Sequence, residues 1–170
     1  MLSQDEINYL SKIPEDKTVS IQPFSLSQTE TAKNIISKVK AELPHLEIRH
    51  MGASGLEISG QGDLDIYALT SPNDFNSYLH SLIQVLGEPK SKNPSSIAWE
   101  FEKNGYPIEF YLTDPESNPM KRQIAVFELL KSNPELLSEY ESLKSKMDGQ
   151  SFRDYQKKKY EFYHKILDEK

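Results

Sequence analysis

The chain has 170 residues and contains no cysteine. It therefore has no disulfide framework and no thiolate metal site. The spacing of its four histidines also does not match a zinc site. Any resident metal is therefore expected to have oxygen ligands, as hard divalent cations do.

Long apolar runs are also absent. No segment reaches the roughly 20 apolar residues that span a bilayer, and residues 1–6 lack the basic and apolar regions of a secretory signal. We therefore expect a cytoplasmic protein without a membrane partner. The net charge is -6, whereas a nonspecific nucleic-acid binder usually carries an excess of basic residues. We therefore do not expect long nucleic acid as the main partner.

Hydrophobic periodicity predicts an early mixed sheet followed by helices, which is an α+β architecture. The predicted strands are 17–24, 46–51, 63–69, 97–101 and 107–113, with 52–62 as a loop and Asn104-Gly105 as a hairpin turn. The predicted helices are 3–11, one from Ser27 to Pro44, one capped by Asn73 or Asp74, and three after Asn118. The length suits one domain over 1–170, with residues 1–16 as a short helical extension.

Two carboxylates alternate with apolar residues in the third predicted strand. Successive side chains of a strand alternate between faces, so Asp63 and Asp65 project to one side about 7 Å apart along the backbone. Both carboxylates can then reach one or two hard cations. A solvated edge strand would carry the same pair, so the pair alone does not establish a metal site.

A glycine-led turn precedes this acid pair. Its backbone N–H groups and its hydroxyl can approach anionic oxygens closely because glycine has no side chain to obstruct them. The turn consists of Gly52, Ala53, Ser54 and Gly55. An ordinary tight loop has a similar composition, but the acids that follow favour a phosphate site beside a metal site.

A third carboxylate is expected wherever two metal ions support in-line phosphoryl chemistry. Glu109 is the candidate, because it interrupts the apolar strand Ile108-Glu109-Phe110-Tyr111-Leu112. A strand with one solvated face would also place Glu109 in water. Glu57, Glu100 and Glu102 are weaker alternatives.

The order of these features resembles the sequence pattern of the polymerase β-like nucleotidyltransferase superfamily. The features are the turn, a spacer, the run Asp63-Leu64-Asp65-Ile66 and the later Glu109. Within this superfamily, the chain from about Val19 resembles the GrpB family, on the turn 50–56 and on positions in the C-terminal helices. These positions are Pro134, Glu135, Tyr140, Leu143, Lys144, Tyr155, Lys159 and Phe162. The resemblance implies a nucleotidyltransferase-like mixed β-sheet with flanking helices and a helical C-terminal third.

The resemblance also implies a reaction. A nucleoside monophosphate would pass from a nucleoside triphosphate to a hydroxyl of an unknown small-molecule or protein acceptor, with two Mg²⁺ ions held by Asp63, Asp65 and Glu109. These three acids would be the catalytic residues, and the turn at 52–55 would bind phosphate. From the sequence itself we expect a monomer, or a weak dimer through the C-terminal helices, although packing on the sheet already accounts for the apolar stripes of these helices.

The chain departs from the family pattern near this site. Ala53 stands where serine or glycine is usual. Two basic residues that would meet a triphosphate are also missing, and Lys121, Arg122 and Lys131 are the possible replacements. Of these, we expect Lys121 and Lys131 to bind phosphate. Lys144, Tyr155 and Lys159 are expected to pack helices, with the ammonium groups at the surface. The departures keep open a catalytically inactive nucleotide-binding or regulatory domain, or a structural partner domain, with the same fold.

Overall fold

A computed structural model describes residues 1–168 and shows an α+β fold in which helices cover both faces of a five-stranded mixed sheet. The strands are β1 (Glu47–Met51), β2 (Leu64–Leu69), β3 (Ser91–Asn93), β4 (Ser96–Lys103) and β5 (Tyr106–Thr113). The helices are α1 (Gln4–Lys12), α2 (Leu26–Glu42), α3 (Gly52–Gly55), α4 (Phe75–Leu86), α5 (Asn118–Ser132), α6 (Pro134–Lys146) and α7 (Phe152–Asp168), with a 3-10 turn at Pro72–Asp74. The predicted fold class is confirmed.

The sheet order is β1-β2-β5-β4-β3, so β2 and β5 are central neighbours although 36 residues separate Leu69 from Tyr106. They pair in parallel, whereas the other pairs are antiparallel. β4 and β5 are joined at Asn104-Gly105, where both residues have positive φ. This conformation suits a two-residue hairpin, and the predicted turn is confirmed.

Helix ends follow local chemistry. Ser3 and Glu6 form a capping box at α1, and the Asn133 side chain accepts from the backbone N–H groups at the start of α6, where Pro134 is the first residue. Glu6 also joins α1 to the C-terminal helices, because its carboxylate lies 2.7 Å from Arg122 of α5 and 2.9 Å from His164 of α7.

Three local predictions are corrected. The segment 17–24 is not a strand of the sheet: it makes two isolated bridges, Thr18 to Ser151 and Gln22 to Gly60. Its alternation reflects Val19, which packs in a cluster with α1 and α7. The turn at Gly52–Gly55 is helical rather than a loop, and the short edge strand β3, whose residues are all exposed, was not predicted.

The two faces of the sheet differ in chemistry. One face, here called the apolar face, packs on α2 and α4 and has almost no exposed surface; its central members are Leu64, Ile66, Ala68, Ile108, Phe110 and Leu112. The other face, here called the acid face, lies toward the C-terminal helices and consists centrally of Asp65, Tyr67, Glu109 and Tyr111. Within residues 1–168, no helix combines the length and apolar character needed to cross a membrane.

Candidate active site

Strand pairing brings the three predicted acids together on the acid face. Asp65 of β2 lies directly opposite Glu109 of β5, and Asp63 immediately precedes β2. Each acid offers one carboxylate oxygen, and these oxygens all lie within 4.8 Å of one another. Oxygens that share an ion at about 2.1–2.5 Å lie no more than about 5 Å apart, so this spacing suits a hard divalent cation.

The cluster is electrostatically costly without a cation. Burial raises the pKa of Asp65 well above its ordinary value, and the charges of Asp63 and Glu109 and a hydrogen bond with Glu109 raise it further. Tyr111, on the same face, also has a raised pKa, caused first by burial and then by the charge of Glu109. A bound cation would relieve the repulsion among the three carboxylates.

The glycine turn packs directly on the acids. A Cβ at Gly52 would lie 2.3 Å from Oδ2 of Asp65, and the φ of Gly52 is +67°. A Cβ at Gly55 would lie 2.6 Å from the His50 carbonyl oxygen. The absence of these two side chains lets the helical turn approach both the acid face and strand β1.

The hydroxyl of the turn is engaged inside the protein. Ser54 is 3% exposed, and its Oγ donates to the Asp63 carbonyl oxygen at 3.3 Å and lies 2.8 Å from Nε2 of His50. Burial lowers the pKa of His50 to about 4, so the ring is neutral at pH 7. The tautomer of the neutral imidazole determines which of the two groups donates in the hydrogen bond between His50 and Ser54. This chain fixes the turn to the start of β2.

Two lysines of the C-terminal helices interact electrostatically with the acids, which the sequence interpretation missed. Lys144 is 4% exposed, so the expectation of a surface ammonium is wrong for this residue. Its Nζ donates to the Tyr155 hydroxyl at 3.1 Å and lies 4.7 Å from the centre of the Tyr140 ring. A Cβ at Gly60 would lie 3.9 Å from Nζ of Lys144.

Lys159 is half-buried on α7, with Nζ 5.6 Å from the centre of the Tyr163 ring. Burial lowers its pKa, but Tyr163, Tyr155 and Asp65 raise it by more, so the ammonium stays charged at pH 7. Lys144 differs: burial and the charge of Lys159 lower its pKa to about 7, against the opposing effect of Asp63 and Asp65.

The sequence carried a signal for both lysines. The inward residues of α7 recur at intervals of three and four, and Lys159 occupies one such position, in the series Phe152, Tyr155, Lys159, Phe162 and Ile166. Lys144 holds the same kind of position between Tyr140 and Met147. A lysine on such a stripe is either a stem buried under a surface charge or a functional cation.

The other predicted basic residues lie on the outer surface of α5. Lys121 is exposed and pairs with Glu116 at 2.8 Å. Lys131 is exposed, with Nζ 5.9 Å from the centre of the Phe127 ring, and that ring would lie 3.3 Å from a Cβ at Gly55. Lys131 is thus one side chain removed from the turn, and its assignment as a phosphate ligand remains a prediction, as does that of Lys121.

A mixed sheet with acids on two adjacent parallel strands and a glycine turn against them defines a nucleotidyltransferase-like fold. The particular family is also clear: the family model described as GrpB protein matches residues 18–169, so the chain belongs to the GrpB family. No curated protein matches the chain.

The fold resembles that of a solved structure. The Cid1 structure described for its RNA terminal uridylyl transferase activity matches with a TM-score of 0.53 and 11% identity, over 82% of this chain and 43% of that chain. The Cid1 poly(U) polymerase with MgGTP bound gives 0.48 and 16%, over 82% and 44%. The GLD-2/RNP-8 complex gives 0.43 and 11%, over 91% and 57%. The chain spans less than half the length of these Cid1 structures.

Proposed function

We propose that this protein is a Mg²⁺-dependent nucleotidyltransferase that transfers a nucleoside monophosphate from a nucleoside triphosphate to a hydroxyl acceptor. The observation that carries the proposal is the convergence of Asp63, Asp65 and Glu109 oxygens within 4.8 Å, on the side of the sheet where Gly52 leaves room at Asp65. Structural likeness to Cid1 supports the fold on which the proposal depends.

The residues fit divalent cations, since three carboxylates are the oxygen ligands that Mg²⁺ prefers. Asp63, Asp65 and Glu109 would hold two Mg²⁺ ions, which polarise the α-phosphate and lower the pKa of the acceptor hydroxyl when bound. The acceptor oxygen forms a bond to the α-phosphorus, the bond from that phosphorus to the bridging oxygen breaks, and pyrophosphate leaves. Glu109 takes the acceptor proton.

The turn at Gly52–Gly55 is proposed to steady the phosphates. The backbone N–H groups of a first helical turn have no acceptors within the helix, so they are available to an anion. Ala53 contributes no hydroxyl there, and the Ser54 hydroxyl already has two partners inside the protein. The backbone, rather than a side chain, is therefore the proposed phosphate ligand in this turn.

The acceptor is proposed to be a small molecule or a protein rather than a long nucleic acid, because the net charge of -6 opposes a polyanion. The proposed compartment is the cytoplasm, and the proposed state in solution is a monomer or a weak dimer.

A second candidate function is a catalytically inactive nucleotide-binding or regulatory domain, or a partner domain. The engagement of Ser54 by His50 and Asp63 together with alanine at position 53 favours it, because no side-chain hydroxyl of the turn is free to bind phosphate. Such a domain would bind nucleotide without releasing pyrophosphate.

The experiment that separates the two combines nucleoside triphosphate binding with pyrophosphate release, each with and without Mg²⁺. Transfer predicts Mg²⁺-dependent binding and pyrophosphate release, both lost in Asp63→Asn while the melting temperature is kept. Tight Mg²⁺-dependent binding of all four nucleotides without pyrophosphate release, over a panel of candidate acceptors, supports the inactive domain. Absence of any nucleotide binding contradicts both transfer and an inactive nucleotide-binding domain, and it leaves a partner domain.

A further inference from the structure

We propose that His50 is a positioning residue of the metal site: through the Ser54 hydroxyl it fixes the main chain at Asp63, and with it the direction from which the Asp63 carboxylate meets the cation. His50 acts on the site through Ser54 and is not itself proposed as a metal ligand. This inference rests on the proposed function and extends its site by two residues outside the ligand set.

The two neighbouring acids are held in different ways. Asp65 is paired on both sides, with Met51 of β1 and Glu109 of β5, and such pairing fixes the main chain of a strand. Asp63 directly precedes β2, lies outside both registers and follows Gly62, whose φ is +84°. The direction of the Asp63 side chain therefore depends on contacts from outside the sheet.

Ser54 supplies such a contact. Its side chain is buried, and its Oγ donates to the Asp63 carbonyl oxygen at 3.3 Å. This hydrogen bond is long, so its strength depends on how well the hydroxyl proton is aligned with the acceptor. A serine hydroxyl has one proton and can rotate to direct it toward any nearby acceptor. A group that directs this proton toward Asp63 therefore strengthens the contact.

His50 is placed to direct it. Its Nε2 lies 2.8 Å from the same Oγ of Ser54, and its carbonyl oxygen would lie 2.6 Å from a Cβ at Gly55. The histidine thus contacts the turn at two adjacent residues. Burial lowers the pKa of His50 to about 4, so at pH 7 the ring is neutral and carries one proton, on either Nε2 or Nδ1.

The two tautomers of His50 have opposite consequences for Asp63. With the proton on Nε2, the ring donates to Ser54 and leaves the serine proton for the Asp63 carbonyl oxygen. With the proton on Nδ1, Nε2 competes with that carbonyl for the serine proton. The proposed relay uses the Nε2 tautomer, because only this form satisfies both hydrogen bonds of the Ser54 hydroxyl at once.

The turn that His50 holds also borders the second acid. A Cβ at Gly52 would lie 2.3 Å from Oδ2 of Asp65, and Ser54 contacts Asp63 two residues later. The position of the turn therefore affects both acids of the β2 region. Groups that orient metal ligands in this way commonly contribute to metal affinity without touching the ion.

The first test is the tautomer of His50, measured at pH 7 by proton-nitrogen correlation NMR on the full chain labelled with nitrogen-15 in histidine. His50→Gln identifies the signal by its disappearance. The wild type should show the proton on Nε2, in slow exchange with water. In Ser54→Ala this proton should exchange faster, because its acceptor has been removed. A purely structural burial of the ring would not tie the exchange of this proton to Ser54.

The second test is the affinity for Mn²⁺ in the presence of a nucleoside triphosphate, measured by electron paramagnetic resonance. Ser54→Ala and His50→Leu should each weaken protein-dependent binding by about threefold to tenfold, as expected for the loss of a hydrogen bond that orients a ligand. His50→Gln should restore affinity to within about twofold of the wild type, because its amide keeps a hydrogen bond to Ser54.

The double variant and a control separate positioning from stability. Because His50 acts through Ser54, the double variant His50→Leu, Ser54→Ala should bind Mn²⁺ no more weakly than Ser54→Ala alone. Ile97→Val lowers stability on the apolar face and should leave Mn²⁺ affinity within about twofold of the wild type. Melting temperatures establish folding, and His50→Asn, whose shorter amide does not reach Ser54, replaces His50→Leu if the latter does not fold.

Three results would overturn the inference while leaving the proposed function intact. The first is a His50 proton on Nδ1, the second is wild-type Mn²⁺ affinity in Ser54→Ala, and the third is an additive loss in the double variant. Absence of protein-dependent Mn²⁺ binding by the wild type would contradict the metal site itself, and the proposed function would then fail together with the inference.

Discussion

The two faces of the central sheet are built from alternate residues of the same strands, yet they follow opposite physical rules. On the apolar face, Ile66 and Phe110 are fully buried, and each such side chain stabilises the fold by about 1.5–3 kcal/mol. On the acid face, their neighbours Asp65 and Glu109 repel one another, and the pKa of Asp65 is raised by burial and by that repulsion. Stability and the proposed chemistry therefore reside on side chains one residue apart.

The largest expected effect separates adjacent positions on β5. Phe110→Ala should lower the free energy of unfolding by about 3–5 kcal/mol, because it opens a cavity on the apolar face. Glu109→Gln should leave that free energy unchanged or raise it, because it removes a repelling charge. Urea unfolding of both variants measures the difference, and a Glu109→Gln protein as unstable as Phe110→Ala would break the distinction between the faces.

The second effect concerns His50, which lies opposite Ile66 and so on the apolar side of β1. Burial lowers its pKa from 6.5 to about 4. Between pH 4 and pH 6.5 the folded protein thus binds fewer protons than the unfolded chain. The contribution of neutral His50 to the free energy of unfolding is therefore fully present above pH 6.5 and is lost as the pH falls toward 4. The loss should reach about 3 kcal/mol.

His50→Gln keeps a donor for Ser54 and does not titrate, so it isolates the histidine from the carboxylates that titrate in the same range. The difference in unfolding free energy between variant and wild type, measured from pH 4 to pH 6.5, should move by that amount in favour of the variant at low pH. Parallel pH profiles would show that His50 is not buried in the way that the structure indicates.

The third effect concerns the close approach of the glycine turn to the acid face. Gly52→Ala should lower the free energy of unfolding by about 1–2 kcal/mol, since alanine is strained at φ +67°. Its Cβ would also displace the Asp65 carboxylate, so divalent-metal affinity should fall together with stability. Gly149→Ala has a similar positive φ with no atom within 4 Å, and it is the matched control for strain alone. Equal metal affinity in both variants would argue against contact between turn and acid.

The smallest effect concerns the exposed lysines of α5. Lys121→Met and Lys131→Met should each change the free energy of unfolding by less than about 0.5 kcal/mol, because surface charges contribute little. As exposed surface charges, both lysines should change the affinity for tripolyphosphate, measured by calorimetry, by less than about threefold. A tenfold loss in calorimetry for either variant would favour the assignment made from the sequence.

Local sequence rules identified the three acids but not how they come together. Alternation along a strand placed Asp63 and Asp65 on one side, and an acid within an apolar strand marked Glu109, although only the parallel pairing of β2 with β5 shows that they meet. The same rule misled at 17–24, where alternation arises from packing of Val19 against helices rather than from a sheet. Alternation reports which side chains are buried but does not identify the partner.

The lysines were missed for a different reason. A lysine is normally a surface residue, so the three-and-four spacing that includes Lys144 and Lys159 predicts helix packing with solvated charges. Their burial depends on how α6 and α7 pack with each other and with residues 53–58, which is a tertiary property. The engagement of Ser54 by His50 likewise required the fold of the turn beneath β1.

The most direct test of the account is the binding of Mn²⁺, as a stand-in for Mg²⁺, to the wild type and to Asp65→Asn, measured by electron paramagnetic resonance in the presence of a nucleoside triphosphate. A metal site on the acid face predicts protein-dependent Mn²⁺ binding by the wild type that weakens at least about tenfold in the variant, since a charged ligand is lost. Equal binding by the two proteins would contradict a metal site on the acid face.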